Sequence, residues 1–97
     1  MKNVKFYPEY FEVNGMRYSY NTPRGDRLYL DMIAEVKAIK IVRPLLEEAL
    51  KSAVEMGRKQ YVKGLEMSLA VLQARQYDTE RDIDTFYINS GRVNRTY

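Results

Sequence analysis

Apolar residues recur along this chain with two different periods. In the first third they alternate. Phe11 and Val13 share one face of the segment Tyr10-Phe11-Glu12-Val13. Met16, Tyr18 and Tyr20 share one face of the next segment, with Arg17 and Ser19 on the other. Between the two lies Asn14-Gly15, a pair that tolerates the positive φ required at both centres of a tight hairpin turn. The pattern predicts an N-terminal β-hairpin, and an isolated hairpin is marginal, so it must lie against something. Asn21 to Asp26 follows as a loop rich in breakers. Arg27-Leu28-Tyr29-Leu30 reads either as a third short strand or as the lead-in to a helix.

From there the period lengthens to that of a helix. Tyr29, Met32, Ile33, Val36 and Ile39 form one face, while Ala34, Ala38, Ile41 and Val42 fill much of the other. A helix apolar on most sides wants burial from more than one direction. The β-branched run Ile39-Lys40-Ile41-Val42 also permits a strand. Pro44 either kinks a continuous helix or opens a second one at its first turn. The expectation is a shorter helix over about 31–43, a sharp change of direction near Arg43-Pro44, and one long helix over about 44–76. The long helix would run about 50 Å at 1.5 Å per residue, more than a compact domain of this size needs. Beyond it, 77–97 reads as a short irregular or hairpin tail. Thr79 and Asp82 form a weak capping box that suggests a helix through Phe86, whereas Asn89-Ser90-Gly91 between Ile88 and Arg92-Val93 suggests a tiny hairpin. Residues 92–97 read as frayed.

The fold class expected is therefore α+β, with a hairpin packed on a mainly helical core. At 97 residues there is room for one domain, divided into a strand- and loop-rich segment over 1–30, a helical segment over 31–76 and the tail.

The long helix carries a heptad recurrence through Leu46, Leu50, Ala53, Gly57, Gln60, Gly64, Met67 and Val71. Such a seam points at a helical partner, and its small middle lets that partner's backbone approach closely. Glycine inside a helix costs about 1 kcal/mol relative to alanine, which packing or a deliberate bend must offset. Three arrangements meet that need. The seam packs within the chain, with Tyr18 or Tyr20 over Gly57; or Gly57 and Gly64 form a symmetric crossing in a homodimer; or the helix bends at Gly57 to follow a curved partner. Val62 and Leu69, on the otherwise polar side, read as scattered surface residues.

Composition narrows the chemistry. The chain has no cysteine, histidine or tryptophan, so thiolate or imidazole metal sites and histidine acid–base catalysis are excluded. Its carboxylates fit no calcium-loop spacing. No catalytic residue, metal, cofactor or small-molecule substrate is expected. The basic start is not followed by the apolar run of a signal peptide, and no stretch of about eighteen apolar residues exists to span a membrane. A cytoplasmic setting is expected. Short length, lack of cysteine, a tyrosine-rich hairpin and a long helix recur among accessory proteins of bacteriophages and mobile elements, an association of composition that assigns no residue a role.

The net charge of +3 comes from sixteen basic and thirteen acidic residues that alternate over most of the length, as on an ordinary solvated surface. Nine tyrosines are more than usual, and tyrosine is enriched at interfaces. The leading expectation is a non-enzymatic protein-interaction or assembly subunit that binds itself or another protein. Its rival is a small single-strand nucleic-acid binder, with Tyr18 and Tyr20 stacking on bases and Arg17, Arg24 and Arg27 on phosphates.

Overall fold

The structure, a computed structural model, describes residues 3–91. It is α+β, with a small antiparallel sheet set against the base of a long helical hairpin. Strands β1 (Val4–Phe6), β2 (Tyr10–Val13) and β3 (Met16–Ser19) pair in sequence order. Asn14 and Gly15, at φ 52° and 83°, make the turn between β2 and β3 as the Asn-Gly pair predicts. Register places Val4 opposite Val13, Phe6 opposite Phe11 and Phe11 opposite Tyr18, so the inward side chains of all three strands share one face. Strand β1 is an addition to the expected hairpin. Its signal is short, two apolar residues flanking Lys5, and Tyr7 closes the turn into β2 by donating its N–H to the Tyr10 carbonyl.

Helix α1 spans Pro23–Glu55 and α2 spans Lys59–Asn89. The segment expected as a loop or third strand is thus the first part of α1. The Thr22 hydroxyl accepts from the Gly25 N–H at 3.2 Å and donates to the Ser19 carbonyl at 2.8 Å, Pro23 takes the first helical position, and Asp26 lies in the first turn. These are the features of a well-formed helix start.

Two expected boundaries move. The change of direction at Arg43-Pro44 does not occur, and α1 passes through Pro44. The proline leaves the Lys40 carbonyl without its helical donor, a loss on the order of 3 kcal/mol. Ile39, Arg43, Leu46 and Leu50 keep one face turned to α2 on both sides of it, and tertiary packing rather than local propensity holds most helices together. The chain reverses instead at Gly57, at φ 68°. Arg58 donates its N–H to the Ala53 carbonyl and Gly57 to that of Val54, at 3.0 and 3.1 Å, the paired bonds of a Schellman stop. The second correction concerns the tail. Residues 77–89 are helical, because Thr79, Ile83 and Phe86 continue the buried face of α2. Thr79 lies inside the helix rather than capping one. The expected fraying of 92–97 lies outside the described residues.

The core sits at the base. Phe11, Met32 and Phe86 are fully buried, joined by Tyr20, Leu28, Tyr29, Val36 and Ile83. Tyr20 donates its hydroxyl to the Tyr7 carbonyl at 2.5 Å and accepts from the Asn89 amide at 3.1 Å, which locks the end of α2 to the sheet. Burial pushes the Tyr20 phenol above its ordinary 10.0, outweighing the lowering effect of Asn89 and the Tyr7 carbonyl. From this base the paired helices project as an arm, giving the molecule extents of 52 × 28 × 17 Å.

Gly25 marks the closest approach of sheet and helix. A Cβ built there lies 2.1 Å from the Tyr20 carbonyl oxygen, and the neighbour is backbone, which cannot swing away. Alanine normally gains about 1 kcal/mol over glycine within a helix, but overpacking costs about 1–3 kcal/mol and more against rigid atoms. Gly25→Ala is therefore expected to destabilise, lowering the midpoint of thermal unfolding followed by circular dichroism by about 5–15 °C. An unchanged or raised midpoint would show that helix and sheet separate there at little cost.

Candidate functional site

Along α1 the residues facing α2 step by three and four through Met32, Val36, Ile39, Arg43, Leu46, Leu50 and Ala53. On α2 the matching steps run through Val62, Leu65, Leu69, Leu72, Gln76, Thr79, Ile83 and Phe86. This is the seam of an antiparallel two-helix coiled coil. Its two halves differ. Near the base the sheet covers it, and Met32, Val36, Ile39, Thr79, Ile83 and Phe86 are buried. Toward the tip only Ala53 is buried, while Leu46, Leu50, Val62, Leu65, Leu69 and Leu72 are half-buried. Two helices alone enclose a seam from two sides, and no other described residue closes the others.

A polar layer separates the halves. Arg43 donates to the Gln76 side-chain oxygen at 2.9 Å and pairs with Glu47 one turn on, yet its Nε is buried with no hydrogen-bond partner. Beside it Glu35 accepts from Arg75, and from the Thr79 hydroxyl at 3.0 Å. Burial pushes the Glu35 carboxyl up, but the bonds from Arg75 and Thr79 and the charge of Arg75 together hold it below its ordinary 4.5. Asp82 is shifted the other way by burial, with Arg81 opposing and Asp78 adding to the rise.

Residues seven apart share a flank of such a pair. From Glu35 and Arg75 toward the tip, one flank presents Val42, Ala49 and Met56 on α1 and Ser68 and Tyr61 on α2, with Leu45, Ser52, Gly64 and Val71 alongside. All are exposed and none is charged. The groove lined by Ala49, Ser52, Met56, Tyr61 and Leu65, with Arg58 at its tip end, joins the two helices across it. The opposite flank carries Lys37, Lys40, Glu47 and Lys51 facing Lys63, Glu66, Glu80 and Asp84. The uncharged flank of the outer arm is the candidate site.

The expected seam residues divide at the turn. Leu46, Leu50 and Ala53 face α2 as expected for a helical contact. Gly57 is not within a helix, and a Cβ there meets nothing within 4 Å, so neither Tyr18 nor Tyr20 covers it. The turn shifts the phase, and Gln60, Gly64, Met67 and Val71 point outward, with Gly64 on open space as well. Val62 and Leu69, read as scattered surface residues, belong to the α2 seam. Their spacing with Leu65 and Leu72 is the signal that located it.

The tyrosines and arginines of the expected partner surface are not brought onto one face. Tyr20 is in the core. Tyr18 lies on the inner sheet face, stacked on Phe11 with the Arg24 guanidinium 5.2 Å from its ring centre. Arg17 lies on the outer face, over Tyr10 and 3.6 Å from Glu12. Arg24 and Arg27 line one groove together with Val4 and Asp31. Among the described residues no group of three or more acidic side chains is placed to hold a metal ion. No described helix is long and apolar enough to cross a membrane.

Two tests follow from the polar layer. Gln76→Leu strands a partly buried guanidinium and is expected to cost about 1–3 kcal/mol in urea unfolding. Arg43→Leu combined with Gln76→Leu removes both groups and is expected to recover that loss or exceed wild type, as apolar replacements of buried pairs do. Glu35 sets a pH dependence. Its folded-state pKa lies below the unfolded value, so its contribution is complete above 4.5 and disappears as pH falls through the lowered value. Glu35→Gln should lower the unfolding midpoint at pH 7 by a few degrees, with the gap to wild type closing as the pH falls from 4.5 through the lowered value. Asp82, which gains from protonation, is raised in part by the Glu35 charge, so the variant relieves it and the difference at pH 7 is smaller than the loss of the Glu35 bonds alone would give. No protein-family model matches this chain, and comparison with curated proteins and with solved structures likewise found no match.

Proposed function

We propose that this chain is a non-enzymatic protein-interaction or assembly subunit that acts by binding another polypeptide through the outer half of its helical arm. The observation that carries this reading is the contrast between the two flanks. One is laced with charge and suits water; the other exposes leucine, valine, methionine and tyrosine beside a half-buried leucine seam. Contiguous exposed apolar surface rimmed by polar residues marks interaction sites in soluble proteins. Tyr61 supports it further, being exposed at the tip with Arg58 stacked on its ring. Such a subunit would serve as a structural component or as an inhibitor of a larger protein. Its base would hold the shape while its arm makes the contact.

A photo-reactive amino acid placed at Leu45 or Val71 tests the reading in cells producing the protein. Discrete protein adducts are expected from both positions and not from Lys51 or Lys63 on the charged flank. Absence of adducts from Leu45 and Val71, or equal labelling from all four positions, would remove the arm as the binding surface.

A further inference from the structure

The geometry points to a second copy of this chain as the occupant of the uncharged flank. We propose an antiparallel, two-fold symmetric dimer in which two arms stack into a four-helix bundle. The inference rests on the arm being a protein-binding surface, and it names the partner.

The first ground is area. Leu45, Met56, Tyr61 and Val71 are each between 63 and 68% exposed, and Val42 is 41% exposed. At those values the five side chains offer about 600 Å² of accessible surface, the upper end of what a monomer leaves open. The small residues between them and the edges of the leucine seam bring the face to about 800 Å², the share one partner contributes to a stable complex.

The second ground is charge. A face that meets its own copy meets its own charges, and like charges brought together are destabilising. This flank has none between Val42 and Met56 on α1 or between Tyr61 and Val71 on α2, and Arg58, which borders it at the tip over Tyr61, is kept at opposite ends of the stack by an antiparallel arrangement. The opposite flank mixes Lys37, Lys40, Lys51 and Lys63 with Glu47, Glu66, Glu80 and Asp84, charges that any stacking there would have to strip of water.

The third ground is the order of sizes. Large side chains stand at both ends of the face, Val42 and Leu45 toward the base and Met56 and Tyr61 at the tip. Ala49, Ser52, Gly64 and Ser68 lie between them. A two-fold axis across the middle of the arm sets α1 on α1 and α2 on α2, each pair antiparallel. Ala49 then meets Ala49, where small residues let the helix axes come within about 8 Å. Met56 of one copy meets Val42 of the other, and Tyr61 meets Val71. A parallel arrangement would instead bring the two copies' Asp82 and Glu35 clusters to the same end. The antiparallel one carries them apart and closes the open side of both leucine seams. Such a contact is isologous, as two-fold dimers require.

Solution mass and a single cysteine test this together. Light scattering over about 1–100 µM should give twice the 11.5 kDa chain mass, with dissociation only on dilution. Leu45→Lys with Val71→Lys should restore the single-chain mass while keeping the helical circular dichroism, and Lys51→Glu should leave the dimer intact. The chain has no cysteine of its own, so Ala49→Cys supplies a probe independent of the lysine variants. Under mild oxidation it should form an interchain disulfide that Lys51→Cys does not. A single-chain mass at every concentration overturns the proposal. So does a dimer untouched by the two lysines, or a dimer in which Ala49→Cys fails to cross-link. A single-chain mass together with adducts of foreign mass from Leu45 would overturn the second copy and leave the binding arm standing. A single-chain mass with no adduct removes both.

Discussion

Phe86 holds its ring between 5.0 and 6.4 Å from those of Phe6, Phe11, Tyr20 and Tyr29. Those four come from β1, β2, the end of the sheet and α1, and Phe86 itself is near the end of α2. Full burial of one such ring contributes about 2–3 kcal/mol, and each well-placed aromatic pair adds roughly 0.5–1.5 kcal/mol. A three-stranded sheet of three- and four-residue strands has little stability alone, and neither do two helices joined at one end. Phe86 gives each a reason to stay beside the other. The Tyr20 hydroxyl, the Tyr7 carbonyl and the Asn89 amide then fix the angle, since each has a polar group that burial would leave unsatisfied without the other two.

The consequence is a molecule with unequal ends. At the base, sheet and helices together bury the seam residues. Past the Arg43–Gln76 layer the same seam continues with no other described residue over it. Polar residues at core positions of a coiled coil set register at a cost in stability. Here the layer also stands at the boundary between enclosed and open packing, so the incompletely paired Arg43 lies near water rather than deep in the aromatic cluster. The Glu35–Arg75–Thr79 cluster does similar work one step nearer the base, aligning two helices that share few other polar contacts.

Much of this architecture was legible in the sequence, and the misplaced helix break and seam have a single source. Alternation around Asn14-Gly15 located β2 and β3, and the 3.6 period located the helical mass. By local cost, about 3 kcal/mol for a proline within a helix against about 1 for a glycine, Pro44 is the stronger break. Local cost was the wrong scale. Pro44 falls on the exposed side of α1, and the seam carries the helix past it. Gly57 falls where a left-handed residue satisfies two carbonyls, and the chain turns. With the break misplaced, one heptad was drawn straight through the turn, which joined Leu46, Leu50 and Ala53 to the outward residues Gly64, Met67 and Val71. Thr22-Pro23 was a helix start visible in residue types alone. The interlock of Tyr20 with Asn89 was not visible, since it joins residues 69 apart in the chain.

The Schellman turn at Gly57 has one more consequence, for how such an arm can change in evolution or by design. Because both helices run to the tip on a seven-residue repeat, removing or adding one repeat from each leaves every remaining seam residue facing its former neighbour. The turn, the polar layer and the aromatic base are untouched. The arm is thus adjustable in steps of about 10 Å, seven residues at 1.5 Å each, while any other increment rotates the tip relative to the base. Reach and fold are inherited separately in this chain.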